Sequence, residues 1–352
     1  MLSDAYTELS AKFTHWAGLE VVATSPLYQH LAGQIAHDPA ILEIASATRE
    51  GQPHANMLFG AVHYLLLSGI QHRLGAYYAS VSDVPALTGD AFPAFRDFCL
   101  THADAIREQL RTRRTQTNEV RRSTILMPMF AYFAKQTNAP LHLIEVGASA
   151  GFNMLWDRYQ YHYTRNGETH IVGAADAPLT LTCAVTGDMP LPTALPVVAW
   201  RAGIDLNPLD VRDPDTLLWL RALVWPEHQQ RMADLQRAAA LVTAAPPQIY
   251  AGSALDILPE LFSQLPPDVP VCVYHTHVLY QFSQEARAAF YDLLRTASQT
   301  RTIGVIAQEQ LSTPRTQLAY RLYTDGALTQ HMLAAYPHDH GAWIEWVWQP
   351  ET

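Results

Sequence analysis

Apolar positions recur every three or four residues through the first 138 residues, and strand-like alternation is absent there. Leu2, Tyr6, Leu9, Phe13 and Trp16 mark one helix face. Ser25-Pro26 and Asp38-Pro39 each set an oxygen-bearing cap before a proline, whose fixed φ and missing N–H suit the first helical position. After Pro53 the broad apolar set Met57, Leu58, Ala61, Val62, Leu65 and Leu66 predicts a buried helix. A fourth helix carries Phe92, Phe95, Phe98, Cys99, Ile106 and Leu110. The next begins near Thr117-Asn118-Glu119 and runs through Ile125, Met129, Phe130 and Phe133, with Pro128 as a kink.

The pattern changes at Pro140. Leu141 to Val146 is a short apolar run, after which Phe152, Leu155, Trp156 and Tyr159 predict an amphipathic helix. Tyr159 to Thr164 and Thr169 to Val172 flank Asn166-Gly167, a dipeptide that favours the primed turns of hairpins. Together with the proline-spaced stretch to Pro196, this hairpin reads as an insertion beside the site, at about 160–196. Val197 to Trp200, Val269 to Tyr274 and Thr302 to Ala307 read as further strands. Helices follow Asp213-Pro214, Pro226 and Ser283. Leu318 to Tyr323, Leu328 to Leu333 and Trp343 to Trp348 read as antiparallel strands, the first two joined at Asp325-Gly326. The expected fold is α/β: an all-α domain or cap over 1–138, then over 139–352 a mostly parallel sheet with an antiparallel C-terminal edge.

Composition narrows the partners. The chain has 352 residues and 49% hydrophobic positions, enough for a substantial core. Its net charge is −10, and only Lys12 and Lys135 among 23 basic residues are lysine. With no basic stripe, a nucleic-acid partner is disfavoured, and the arginines of 107–122 read as a solvated helix face. Cys99, Cys183 and Cys272 are far apart and lack metal spacing, so they read as reduced thiols. No signal peptide opens the sequence and no apolar run approaches membrane-spanning length, so a soluble cytoplasmic protein is expected.

The informative stretch is Glu145-Val146-Gly147-Ala148-Ser149-Ala150-Gly151, where a strand is expected to pass through a loop of small residues into a helix. Free N–H groups at such a helix start would face a ligand. Three readings compete. Gly147-Ala148-Ser149-Ala150-Gly151 matches the Gly-x-Ser-x-Gly nucleophile elbow, making Ser149 a hydrolase nucleophile. That scaffold expects several strands before the nucleophile, whereas about 140 helical residues precede it here. A dinucleotide site would want two further glycines that are missing. The loop best resembles the cofactor loop of class I methyltransferases, in which an acidic strand end is followed by glycine, small residues and a second glycine. S-adenosylmethionine carries no phosphate, so a thin loop suffices, and an acidic group such as Glu145 would meet the cofactor's ammonium directly or through water. A turn without any ligand is the plainer alternative.

On that resemblance Glu145, Gly147, Ala148, Ser149, Gly151 and Asn153 belong to the cofactor site. Asp205 is the candidate carboxylate for the ribose hydroxyls, although a turn aspartate before Asn207-Pro208 is an alternative. Ser253 and Ala254 lie where such enzymes carry an adenine contact, with serine departing from the usual aspartate. The segments Asn56 to Tyr64, Gln116 to Val120, Glu145 to Trp156, Gly203 to Asp210 and Val224 to Glu227 further resemble a bacterial family of uncharacterised proteins, a domain of unknown function with a methyltransferase-like core. That resemblance spans nearly the whole chain and implies the architecture without a substrate.

Chemistry is expected at the end of the strand closing on Tyr274, because open α/β sheets bind ligands at their carboxyl edge. His275 is the candidate base, with Tyr280 orienting the acceptor. A pair of structural histidines is the competing account. His275 with His277, and His338 with His340, have the spacing of paired metal ligands, but a third ligand cannot be placed and no metal is expected. Asn118 and Glu119 either cap their helix or line the acceptor site. The sequence therefore predicts an S-adenosylmethionine-dependent methyltransferase with a small-molecule acceptor. The alternatives are a serine hydrolase using Ser149 and a non-catalytic nucleotide- or cofactor-binding protein.

Overall fold

A computed structural model describes residues 4–348, except 20, 23, 83–86, 117 and 312. Leu2 and Thr117 of the helical pattern lie outside the described residues. The helices are α1 (Asp4–Leu19), α2 (Pro26–Ile35), α3 (Pro39–Ala45), α4 (His54–Leu67), α5 (Phe92–Thr101), α6 (Ala103–Thr112), α7 (Ser123–Thr137), α8 (Pro214–Ala222), α9 (Gln229–Ala244), α10 (Ala254–Gln264) and α11 (Gln284–Ala297). The chain divides into two compact units, Met1–Thr117 with Arg212–Leu235, and Asn118–Val211 with Gln236–Thr352. This differs from a cut after residue 138. Residues 118–138 group with the sheet, and 212–235 with the N-terminal helices.

In the first unit the proline-bearing starts form as their chemistry requires. Ser25 Oγ accepts from Tyr28 N at 3.2 Å, and Asp38 Oδ1 accepts from Ala40 N at 3.0 Å. The single helix expected over 92–110 is two, broken at His102 (φ −112°, ψ 26°), whose ring packs 4.6 Å from that of Phe98. Two contacts explain why 212–235 belongs here. Trp219 Nε1 donates to the Arg114 carbonyl at 2.8 Å, and Glu227 accepts from Ser25 Oγ at 2.8 Å. His63 is fully buried, with Nδ1 3.0 Å from the Ala222 carbonyl and Nε2 2.7 Å from Ser80 Oγ. A carbonyl only accepts, so the proton sits on Nδ1, and burial holds the imidazole down to about 4.

The second unit holds the sheet: β1 (Leu141–Val146), β2 (Gln160–Arg165), β3 (Glu168–Val172), β4 (Thr180–Thr186), β5 (Val198–Asp205), β6 (Ile249–Ala251), β7 (Val271–Thr276), β8 (Ile303–Glu309), β9 (Gln317–Thr324), β10 (Ala327–Pro337) and β11 (Trp343–Trp346). Their order is β3-β2-β4-β11-β10-β9-β8-β7-β1-β5-β6. β6, β5, β1, β7 and β8 are parallel neighbours, β9 to β11 run as an antiparallel meander, and β4 returns parallel to β11. The sheet is thus mixed and mostly parallel. The chain winds outward in both directions from β1, so strand order reverses beside it.

One expectation needs correction. Phe152–Arg158 is a 3-10 segment with a kink at Leu155, in place of an amphipathic α-helix. Tertiary ties decide its shape: Trp156 packs 4.8 Å from Phe130 of α7, and Arg201 grips Asp157 with both guanidinium nitrogens at 2.6 Å. The 160–196 stretch supplies β2, β3 and β4, which in the sheet lie beyond five intervening strands from β1. The hairpin itself forms as expected, with Asn166 and Gly167 both at positive φ.

One face of the parallel strands is sealed by α10 and α11, where Val146, Val271, Val273, Ile303 and Val305 meet Leu258, Leu261, Phe290 and Leu294. The other face holds α7, whose residues Ser123 to Phe130 are all buried. Tyr163 of β2 donates to the Thr124 carbonyl at 2.8 Å, while Phe133 lies against Gly304 of β8. A helix touched by strands so distant in the sheet requires the sheet to curve around it. Gly304 is the point of closest approach, because a Cβ there would sit 2.6 Å from the Phe133 ring. Gly304→Ala is expected to destabilise the protein by about 1–3 kcal/mol in urea unfolding, the range for overpacking a core. A change below 0.5 kcal/mol would show that α7 is not seated this tightly.

Candidate functional site

At the carboxyl end of β1 the chain turns through Gly147 (φ 78°), Ser149 (φ 49°) and Gly151 (φ 78°). The glycines answer to protein packing. A Cβ on Gly147 would meet Val278 at 2.3 Å, and one on Gly151 would meet Pro247 at 2.7 Å. Ser149 takes the left-handed conformation without that excuse, so its partners must hold it.

Those partners account for every backbone donor of the loop. Gly147 N and Ala148 N donate to the Ile204 carbonyl at 2.8 and 3.1 Å. Ser149 N donates to Asp205 Oδ2 at 2.8 Å, and Ala150 N to Asn118 Oδ1 at 3.0 Å. Gly151 N closes onto the Ala148 carbonyl at 2.7 Å. Between Gly147 and Gly151 no backbone N–H is left over for a phosphate. Asn118 also donates through Nδ2 to Ser149 Oγ at 2.9 Å, so its amide grips both the backbone and the side chain of the turn.

Asp205 is half-buried at the end of β5, and its Oδ1 accepts from Asn207 N at 2.7 Å. Each carboxylate oxygen has taken one N–H and retains a second lone pair. The turn after β6 is tied to the same residue, Gly252 N donating to the Asp205 carbonyl at 2.9 Å. Ser253 there caps α10, its Oγ accepting from Leu255 N at 3.2 Å, and Ala254 is buried as the first helical residue. Asn153 Oδ1 accepts from Ser123 Oγ at 2.8 Å, which ties the loop's exit to α7.

Beneath the loop, Glu145 is buried and accepts from the Tyr274 hydroxyl at 3.2 Å. Burial lifts its carboxyl well above the usual range, the Tyr274 hydrogen bond opposes this, Asp205 reinforces it, and Arg122 pulls the other way. Burial thus favours the neutral acid. Glu119 is buried and caps a single 3-10 turn, accepting from Arg121 N at 3.2 Å. Asn118 is not that cap. The segment from Asn118 to Thr124 runs as a strap: Arg121 Nε donates to the His340 carbonyl at 3.2 Å, and Arg122 Nε to the Asp339 carbonyl at 2.9 Å.

His275 requires correction. Tyr274 meets Phe130 of α7, whereas His275 meets Phe290 of α11, so the two point to opposite faces of the sheet. His275 is fully buried on the face away from Glu145, with Nδ1 held by Glu309 Oε1 at 2.7 Å. Tyr280 is 60% exposed and does not cover it. The same Glu309 oxygen accepts from Val278 N at 2.9 Å and Leu279 N at 3.0 Å. His275 and Glu309 therefore pin the turn that seats Val278 on Gly147. His338 and His340 have rings 5.6 Å apart in the β10–β11 turn, where His340 N donates to His338 Nδ1. Among the described residues no group of three metal-ligating side chains exists.

Sequence reasoning missed Arg122, Gln308, Glu309 and Asp339. Gln308-Glu309 had a readable signal, a polar pair closing the apolar run Ile303 to Ala307 at the ligand-binding edge. Arg122 and Asp339 had none, since neither lies near the loop in sequence.

The chain belongs to a family described as an uncharacterized protein conserved in bacteria (DUF2332), which it matches over residues 10–346. No curated protein matches it. Among the described residues no helix is long and apolar enough to cross a membrane.

Glu309 gives the site a measurable pH signature. Burial alone would raise its carboxyl, but His275 and the N–H groups of Leu279 and Val278 outweigh that and lower it. A depressed folded value means the contribution is complete above the unfolded value of about 4.3 and is lost as pH falls below it. Glu309→Gln is expected to destabilise by about 1–3 kcal/mol at pH 7, with the gap to wild type narrowing below about pH 4. Urea unfolding across pH 3–7 measures this, and a pH-independent gap would contradict the assignment.

Proposed function

We propose that the protein is an S-adenosylmethionine-dependent methyltransferase acting on a small molecule, with the cofactor at the carboxyl edge of β5, β1 and β7. The observation that carries this reading is the meeting of the Gly147–Gly151 loop with Asp205 beside the reversal of strand order, the place where open α/β sheets bind ligands. A loop whose donors are all used suits a cofactor without phosphate. Asp205 fits a ribose diol, since both oxygens keep a lone pair for a hydroxyl donor. Ser253 fits an adenine contact less well, its hydroxyl being engaged in the cap. When bound, the cofactor would supply an activated methyl group, and the residues of this chain would hold and orient it.

A second reading has one observation in its favour. Ser149 holds a positive φ within Gly-x-Ser-x-Gly, as a strained nucleophile would. Against it, His275, one of the histidines that follow Asp205 in the chain order a hydrolase triad needs, faces α11.

Isothermal calorimetry and thermal shift with S-adenosylmethionine and S-adenosylhomocysteine test the proposal. A ligand at 100 times its dissociation constant adds about 2.7 kcal/mol of stability. Asp205→Asn is expected to weaken binding about tenfold or more, the scale of a charged hydrogen bond. Absence of binding by either adenosyl compound, together with labelling of Ser149 by a fluorophosphonate, would replace this reading with the hydrolase.

A further inference from the structure

Among the described residues, four buried polar atoms at the ends of β7 and β8 have no hydrogen-bond partner. Nε2 of His275 and Oε2 of Glu309 belong to the pair that fastens the turn on the α11 side, which leaves Nε2 of His277 and Oε1 of Gln308. Gln308 is fully buried, and its other amide atom is oriented by the hairpin turn, Nε2 lying 3.5 and 3.4 Å from the carbonyls of His338 and Asp339. That arrangement leaves the oxygen as the unused end of the amide, an acceptor awaiting a donor. On β8, Gln308 shares parity with Gly304, which meets α7, so it lies on the same face as Glu145 and Tyr274.

His277 sits directly beyond β7 with φ 53°, a conformation histidine adopts only against a steric penalty. Its N–H donates to the Gln308 carbonyl at 2.8 Å, which holds the strained residue beside its neighbour. The side chain keeps 17% exposure, whereas His275 keeps none, and its Nε2 lies 3.8 Å from Asp339 Oδ1. Asp339 is itself fixed, because Thr316 Oγ1 donates to the same oxygen. Burial first, then the Arg122 charge, hold the imidazole down to about 4 against the pull of Asp339 and Glu309, so the ring is neutral near pH 7 and, in the Nδ1–H tautomer, presents its lone pair at Nε2.

We propose that His277 and Gln308 form the acceptor side of the site: Gln308 Oε1 receives a hydrogen bond from the N–H or O–H group of the acceptor, and His277 Nε2 takes the proton released on methylation. This rests on the methyltransferase reading above. The acceptor heteroatom gains the methyl carbon as the carbon–sulfur bond breaks with its electron pair left on sulfur, and its proton passes to His277. The substrate class is therefore a small amine or hydroxyl compound. An acceptor that lacks a heteroatom-bound hydrogen would leave Gln308 Oε1 buried and unpaired.

Sinefungin, an adenosyl analogue with an amine-bearing carbon in place of sulfur, probes this without knowledge of the acceptor, because its amine projects where the methyl group would be. Calorimetry on the protein should show sinefungin binding about tenfold tighter than S-adenosylhomocysteine. In Gln308→Met and His277→Asn, the latter tolerant of positive φ, that preference should fall to within about threefold, judged against the same hydrogen-bond scale. Retained S-adenosylhomocysteine affinity in each variant shows an intact fold. In the wild type, the imidazole nitrogen shifts of His277 should move with sinefungin and stay unchanged with S-adenosylhomocysteine. An undiminished preference in both variants, or an unmoved His277 resonance, overturns the assignment while leaving the cofactor reading in place. Failure of both ligands to bind the wild type overturns the methyltransferase reading itself.

Discussion

The site depends on how one tight turn disposes of its own backbone donors. From Gly147 to Gly151 each N–H ends on a protein oxygen, and two of those oxygens belong to side chains far away in sequence, Asp205 and Asn118. An unpaired buried N–H costs about 1–3 kcal/mol, so these two residues set the shape of the loop as firmly as its glycines do. They also join three separate stretches of chain, the strap at 118–124, the turn after β1 and the end of β5. A ligand at this edge would meet a surface formed before it arrives. The free energy of binding would then not be spent on ordering the loop.

The same economy recurs one strand over. Glu309 receives three donors on one oxygen, and the turn it fixes places Val278 against Gly147. His275 supplies one of those donors and reads as structural. His277, two residues on, is partly exposed, strained in backbone and close to a carboxylate. Within three residues the chain passes from a fully buried fastener facing α11 to a partly exposed imidazole beside Asp339.

Much of this was legible in the sequence because the signals were local. Ser25-Pro26, Asp38-Pro39 and Asp213-Pro214 start helices through the hydrogen bonds that their side chains offer. Asn166-Gly167 turns a hairpin because its positive φ angles are affordable only there. What was not legible was decided by tertiary contacts. Phe152 to Tyr159 has helical spacing but is drawn into a 3-10 segment by Trp156 and Asp157. β7 is buried on both faces, so alternation could not tell which way His275 points. Asn118 looked like a helix cap, and its role appears only once the loop 31 residues later folds back onto it. Residues 212–235 follow the sheet in sequence, yet their tryptophan and carboxylate find partners among the N-terminal helices.

The most direct measurement of the central claim is amide hydrogen exchange at Gly147 to Gly151 in the protein free of ligand. Donors already bound by Asp205, Asn118 and backbone carbonyls should exchange as slowly as the core amides of β1, and Asn118→Ala should release the amide of Ala150 selectively. Fast exchange across the free loop, slowed only when S-adenosylhomocysteine is added, would mean that the ligand and not the protein builds the turn, and would contradict the account.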